Sequence, residues 1–213
     1  MTAPAAWFLV AFLVVAPLDW WSRWRDVHRL ELVTKPLATA LLIAVALTLE
    51  PDSDPVRAWF CVALALSLVG DVMLLDDRRF VHGLAAFLLA HVAYIAGFIA
   101  LGTWRWWTFA LSAVPIAALV GTVGVRIVRS TAGQPRAVQV GVRAYLLVIL
   151  TMFALACGAG SWVVVAGATL FVVSDSLLGW RTFVARDPDR VSSTAVMVTY
   201  HAAQLVLTLS LVA

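Results

Sequence analysis

The sequence predicts an all-α fold: a transmembrane bundle of eight helices in a single domain spanning residues 1–213, with both termini on the outer side. Three observations carry this expectation. The chain has 213 residues, of which 63% are hydrophobic and 13% charged, with a mean hydropathy of +0.96; a soluble domain carries about 25% charged residues. Apolar runs near the roughly 20 residues that a spanning helix needs recur eight times and consume most of the length. The basic residues alternate from one end of these runs to the other, and backbone in lipid must satisfy its own hydrogen bonds, which makes the runs helices.

The spans are read as Ala3–Trp20, Leu32–Leu49, Val56–Leu75, Phe80–Leu101, Trp104–Val125, Val138–Cys157, Ser161–Trp180 and Ser192–Ala213. Arg23, Arg25, Arg29 and Lys35 follow the first, Arg78 and Arg79 the third, Arg126, Arg129, Arg136 and Arg143 the fifth, and Arg181, Arg186 and Arg190 the seventh. Only Arg57 and Arg105 lie near the other ends, so thirteen of the fifteen basic residues share one side. Basic loops face the cytoplasm, which puts both termini outside. The net charge of +3 and pI near 9.3 are therefore topology signals and not a nucleic-acid surface.

The first span lacks a basic leader and a small-residue cleavage site and reads as a retained helix. The Trp- and Arg-rich stretch Asp19–Arg29 reads as an interfacial loop, with Trp20, Trp21 and Trp24 as anchors. Span two opens on Lys35-Pro36, with Pro36 in a first turn where its missing N–H costs nothing. Lys35 either snorkels to the inner surface or offers its cation to a phosphate headgroup.

Span three places Asp71 in its inner half, with Ser67 one turn away on the same face. Gly70 leaves room there for a close approach. Span four carries Gly83, Phe87, His91 and Tyr94 on one stripe; His91 reads as a structural hydrogen-bond partner or as a member of a site. Span five holds Trp104, Trp106 and Trp107 at its outer end, with Pro115 as a candidate kink. Its following loop, Arg126–Arg143, is the longest.

Span six reads as scaffold, with Tyr145 at an interface. Span seven carries Asp175 at a depth like that of Asp71. Span eight aligns Met197, His201, Gln204 and Thr208 on one face and adds Tyr200; such a polar stripe also serves as interhelical glue. Cys61 and Cys157 read as small core residues. Spans three and seven, each followed by a span with a mid-membrane His, hint at a parallel four-plus-four repeat.

Ionisable groups inside a membrane span are functional candidates. Lys35, Asp71, His91, Asp175, His201 and Gln204 come from five helices and fall at similar depth, as a pocket requires. Two carboxyls in one apolar pocket resist joint ionisation and leave an acid beside a carboxylate, the equipment for general acid–base chemistry through a cationic intermediate. Two Asp and two His also suggest a divalent-metal site. However, no HxxxH or HxxH pair occurs, so no metal is assigned. No GxSxG elbow, phosphate-cradling glycine loop or CxxC appears, and no cofactor is expected. A membrane carrier relaying protons through the same carboxyls, or a lipid-binding protein, is the non-enzymatic alternative, and a metal-dependent lipid hydrolase is the other enzymatic one.

Gly70-Asp71, the segment Phe80–Gly83 leading into Ala86-Phe87-Leu88-Leu89-Ala90-His91-Val92-Ala93-Tyr94, Lys35-Pro36-Leu37, Ser174-Asp175-Ser176-Leu177-Leu178 and the Tyr200…Gln204 element together resemble the YhhN-like lysoplasmalogenase family. The likeness runs in order from span two to span eight. It departs at His201, where a second Tyr after Tyr200 is expected. The resemblance implies an eight-helix membrane hydrolase of ether lipids. Such enzymes cleave the vinyl ether bond of a lysoplasmalogen to a fatty aldehyde and a glycerophospho-headgroup. Asp71 and Asp175 would then be the acid and base. His91 and Tyr94 would orient a carboxyl or water, Lys35 and the inner-loop arginines would hold the headgroup phosphate, the acyl-like tail would lie among the helices, and Tyr200, His201 and Gln204 would complete the substrate site. The partner is a lysophospholipid, with no nucleic acid, and the location is a bacterial inner membrane.

Overall fold

The computed structural model describes residues 1–185 and 189–213, and of Asp77 the backbone. Arg186, counted above among the basic residues after the seventh span, lies outside the described residues. Among the described residues eight helices are long and apolar enough to cross a membrane: Ala3–Arg25, His28–Thr48, Asp54–Met73, Phe80–Ala100, Trp106–Ser130, Arg136–Gly158, Trp162–Ala185 and Arg190–Val212. We refer to them as spans one to eight. No strand occurs among the described residues.

Several helices outrun the apolar runs that predicted them. Span one continues through Trp20 to Arg25, so the expected loop shrinks to a turn at Asp26, whose left-handed φ of 58° caps the helix. Asp tolerates that conformation better than most residues. Span two starts at His28 instead of Leu32, which moves Pro36 from a first turn into the helix interior; Pro36 there leaves the Leu32 carbonyl without its helical partner. Span five runs five residues further, to Ser130, and the long loop contracts to Thr131–Pro135. Hydropathy locates the edge of hydrocarbon, whereas backbone hydrogen bonding carries the helix on into charged sequence.

Spans five and seven are the irregular ones. Span five breaks at Ser112. Pro115 lies three residues on and cannot donate to the Leu111 carbonyl, the kink expected from sequence. Span five then passes through a π-helical turn at Val120–Gly124, and span seven ends in another at Trp180–Ala185.

Spans three and four pack most extensively, followed by spans seven and eight. Glycine makes both contacts possible. A Cβ on Gly70 would lie 2.5 Å from the Phe87 ring, and one on Gly167 would lie 2.7 Å from Leu207. The half of the bundle away from the basic end is closed by aromatics: Phe60 meets Tyr94 edge-on at 5.2 Å and Phe98 at 5.8 Å, and Phe171 lies 5.9 Å from Tyr94. Edge-to-face pairs of this kind add about 0.5–1.5 kcal/mol each beyond area burial. The polar groups lie beneath this plug, toward the basic end of the bundle.

Candidate active site

A chamber of about 450 Å³ opens at the basic end, where spans one, three and seven finish and spans four and eight begin. Asp71 and Asp175 both line it, together with Lys35, Arg23, Arg181, Tyr145, Ser174 and Tyr200. Two acidic side chains a hundred positions apart thus share one cavity.

Asp71 is wholly buried and held from three sides. Thr39 donates to Oδ2 at 2.6 Å, Tyr200 donates to the same oxygen at 2.8 Å, and the Lys35 ammonium lies 3.7 Å from Oδ1. Lys35 is only 3% exposed, so it does not snorkel. Its stem runs inward along the face of span two that also carries Thr39, one turn away. A buried carboxylate without such partners would cost several kcal/mol.

Asp175 has different company. Tyr145 donates to Oδ2 at 2.5 Å, and His91 Nε2 lies 3.5 Å from the same oxygen. The His91 Nδ1 sits 2.7 Å from the Phe87 carbonyl, which can only accept. Nδ1 therefore carries a proton, and the Nε2 of a neutral ring presents a lone pair toward the carboxyl. Phe171 and Tyr145 hold the imidazole edge-on at 4.9 and 5.3 Å. His91 thus belongs with Asp175 of span seven, not with Asp71 across the nearby turn.

The remaining expected residues stand behind the chamber wall. Tyr94 donates to Gln204 Oε1 at 2.5 Å, Gln204 Nε2 donates to the Tyr200 hydroxyl at 3.3 Å, and Tyr200 completes the path to Asp71. Gln204 therefore reaches Asp71 at one remove and Tyr94 at two, and neither lines the cavity. His201 also lies outside it, packed 5.4 Å from the Tyr200 ring. Its Nδ1 accepts from Trp20 Nε1 at 2.9 Å, so Trp20 is a structural partner and not an interfacial anchor.

Two chamber or near-chamber residues, Tyr145 and Asp19, escaped the sequence reading, whereas Arg23 and Arg181 belong to its inner-loop arginines. Tyr145 was assigned to an interface and span six to scaffold, yet its hydroxyl reaches Asp175. Arg23 and Arg181 line the chamber toward the basic end, with Arg23 also 2.9 Å from Glu31. Asp19, placed in a loop by sequence, is fully buried in span one and accepts from Thr34 at 2.9 Å. One signal was available: the chain has three tyrosines, and a hydroxyl within a membrane span requires an acceptor. All three donate into this network. Among the described residues no three His, Cys, Asp or Glu side chains gather closely enough to hold a metal ion.

The model of the YhhN family matches residues 30–211, nearly the whole of this architecture. The chain belongs to the YhhN family. Curated relatives of this YhhN protein include lysoplasmalogenase TMEM86B of Rattus norvegicus, 35% identical over 155 residues, covering 70% of this chain and 59% of the relative. The lysoplasmalogenase TMEM86B of Homo sapiens is 36% identical over 154 residues, and that of Sus scrofa 32% over 158, each covering 70% of this chain and 61% of the relative. The chain spans about three-fifths of the length of the curated relatives it matches. No solved structure matches it. With eight apolar helices and this family, the YhhN chain is an integral, multi-pass membrane protein.

Proposed function

We propose that the protein is a lysoplasmalogenase-like hydrolase that cleaves the vinyl ether bond of alkenyl lysophospholipids. The observation that carries the reading is the shared chamber: two carboxyl groups of unlike surroundings in one cavity, in a family whose curated relatives bear that activity in their names. The basic end faces the cytoplasm and both termini lie outside, by the asymmetry of the arginines. The membrane is a bacterial inner membrane.

The surroundings also divide the labour. Lys35 and two hydroxyl donors give Asp71 the partners of a carboxylate. The lone pair of His91 Nε2, aimed at Asp175, calls for one proton shared between imidazole and carboxyl. Asp175 accordingly delivers a proton to the tail-side carbon of the C=C–O unit. The π electrons form the new C–H bond, and the oxygen-side carbon becomes an oxocarbenium ion, stabilised by the Asp71 carboxylate. Water attacks that carbon while Asp71 takes its proton, giving a hemiacetal. The hemiacetal hydroxyl then returns a proton to Asp175 as the C–O bond to glycerol breaks, and protonated Asp71 supplies the leaving oxygen. Aldehyde and glycerophospho-alcohol leave, and both carboxyls regain their starting states.

Arg23 and Arg181 hold the phosphate near the opening, and Lys35 serves as the counterion of Asp71 deeper in. Tyr94, Gln204 and His201 position Tyr200. The test is aldehyde release from purified protein given an alkenyl lysophospholipid. Asp71→Asn and Asp175→Asn should each abolish release, by at least about a thousandfold, with unchanged membrane insertion. Full activity in either variant removes that residue from the mechanism.

A further inference from the structure

A second, narrower space adjoins the chamber. It is a groove of about 80 Å³ between the inner halves of spans five, six and seven, floored by the first turns of span four. Its walls are almost wholly apolar, with Leu119 and Val123 on one side and Leu146 and Ile149 on another. Asp175 and Tyr145 line both the groove and the chamber, whereas Asp71, Lys35 and the two arginines line the chamber alone. An amphipathic ligand laid across the pair would therefore change from polar to apolar at Asp175.

We infer that this groove is the subsite for the hydrocarbon chain of the substrate, and that span five sets the chain length it accepts. The inference rests on the hydrolase reading above. It gains support from the order of atoms in a vinyl ether. The carbon that takes the proton is the one joined to the tail, and the carbon that takes water is joined to the headgroup oxygen. A proton donor at the mouth of an apolar groove, with a carboxylate on the polar side, matches that order.

The walls have the build of a slot that moves. Span five is the least embedded span, with 17% of its apolar window buried against 56% for span eight. Both π-helical turns border the groove, through Val123 and Gly124 on one side and Thr182 and Phe183 on the other. Such turns break the register of a helix and gather at functional sites. Glycine keeps the approach tight: a Cβ at Gly179 would lie 2.9 Å from Ile127 Cδ1, and one at Gly124 would lie 3.2 Å from Leu146.

Two measurements test this. A non-hydrolysable alkyl lysophosphocholine with a diazirine at mid-tail, photolysed on the full chain in detergent, should crosslink to spans five and six around Val123 and Leu146. Crosslinks confined to other spans would overturn the subsite. This readout needs no turnover, so it stands even if no aldehyde is formed from any alkenyl lipid, the result that would sink the hydrolase reading instead. Where aldehyde is formed, Val123→Trp should lower the ratio of long-chain to short-chain kcat/KM by about tenfold, the equivalent of two methylenes denied burial. Leu146→Ala should raise the same ratio. An unchanged ratio in both variants overturns the role of span five in chain length.

Discussion

Asp71 takes its partners from span two, through Lys35 and Thr39, and from span eight, through Tyr200. Asp175 takes its partners from span six, through Tyr145, and from span four, through His91. Divided into two sets of four spans, the molecule repeats one plan. The third span of each set carries the acid, the second span of the same set supports it, and the fourth span of the other set reaches across. The plan is shared and the chemistry is not. One carboxyl has an ammonium beside it; the other, among the described residues, has a phenol and an imidazole. One plan used twice can thus hold two like groups in one cavity and still give them unlike surroundings, because the neighbours differ.

That contrast can be broken at its strongest point by Lys35→Met. Removing one partner of a buried ion pair should destabilise the protein by about 3–5 kcal/mol, seen as a lower melting temperature in detergent, with activity lost. The Lys35→Met/Asp71→Asn double variant should regain much of that stability and none of the activity. If Lys35→Met alone melts like the wild type, the ammonium is not the counterion of Asp71.

The next sharpest cut compares the two phenols. Tyr145→Phe removes the closest donor to Asp175 and should lower kcat about 10–100-fold, the worth of a hydrogen bond to an ionisable group. Tyr200→Phe should cost less, because Thr39 and Lys35 remain on Asp71. Equal losses would mean that the two carboxyls are not differently supported.

The smallest effect lies outside the membrane and serves as a baseline. Asp189 caps span eight by accepting from the Ser192 N–H at 2.8 Å. Hydrogen bonds from Ser192 hold its carboxyl below the usual carboxylate range. A carboxyl lowered in the folded state stabilises above its unfolded pKa of about 3.9, and that stabilisation fades as pH falls through the folded value. Asp189→Ala should therefore melt slightly below the wild type at pH 7, and the gap should close in strong acid.

How far the sequence could lead is visible in which contacts it foresaw. The stripe Gly83, Phe87, His91 and Tyr94 and the face Met197, His201, Gln204 and Thr208 are all buried as helical spacing implied. Periodicity tells which side of a helix is polar. It does not tell which other helix that side meets. Tyr145 to Asp175 crosses 30 residues and Trp20 to His201 crosses 181, so both depend on the packing of whole spans. Helix ends were misplaced for a related reason: Arg23, Arg25 and Arg181 marked the edge of hydrocarbon but remain helical, which is how two of them come to line the chamber.

The aromatic plug of Phe60, Tyr94 and Phe98 is buried beyond the chamber, which none of the three lines. On the proposed tail subsite, a lipid seated along span five would leave by the chamber or sideways into the bilayer. Under the hydrolase proposal, an aldehyde without a charged head would suit the sideways exit.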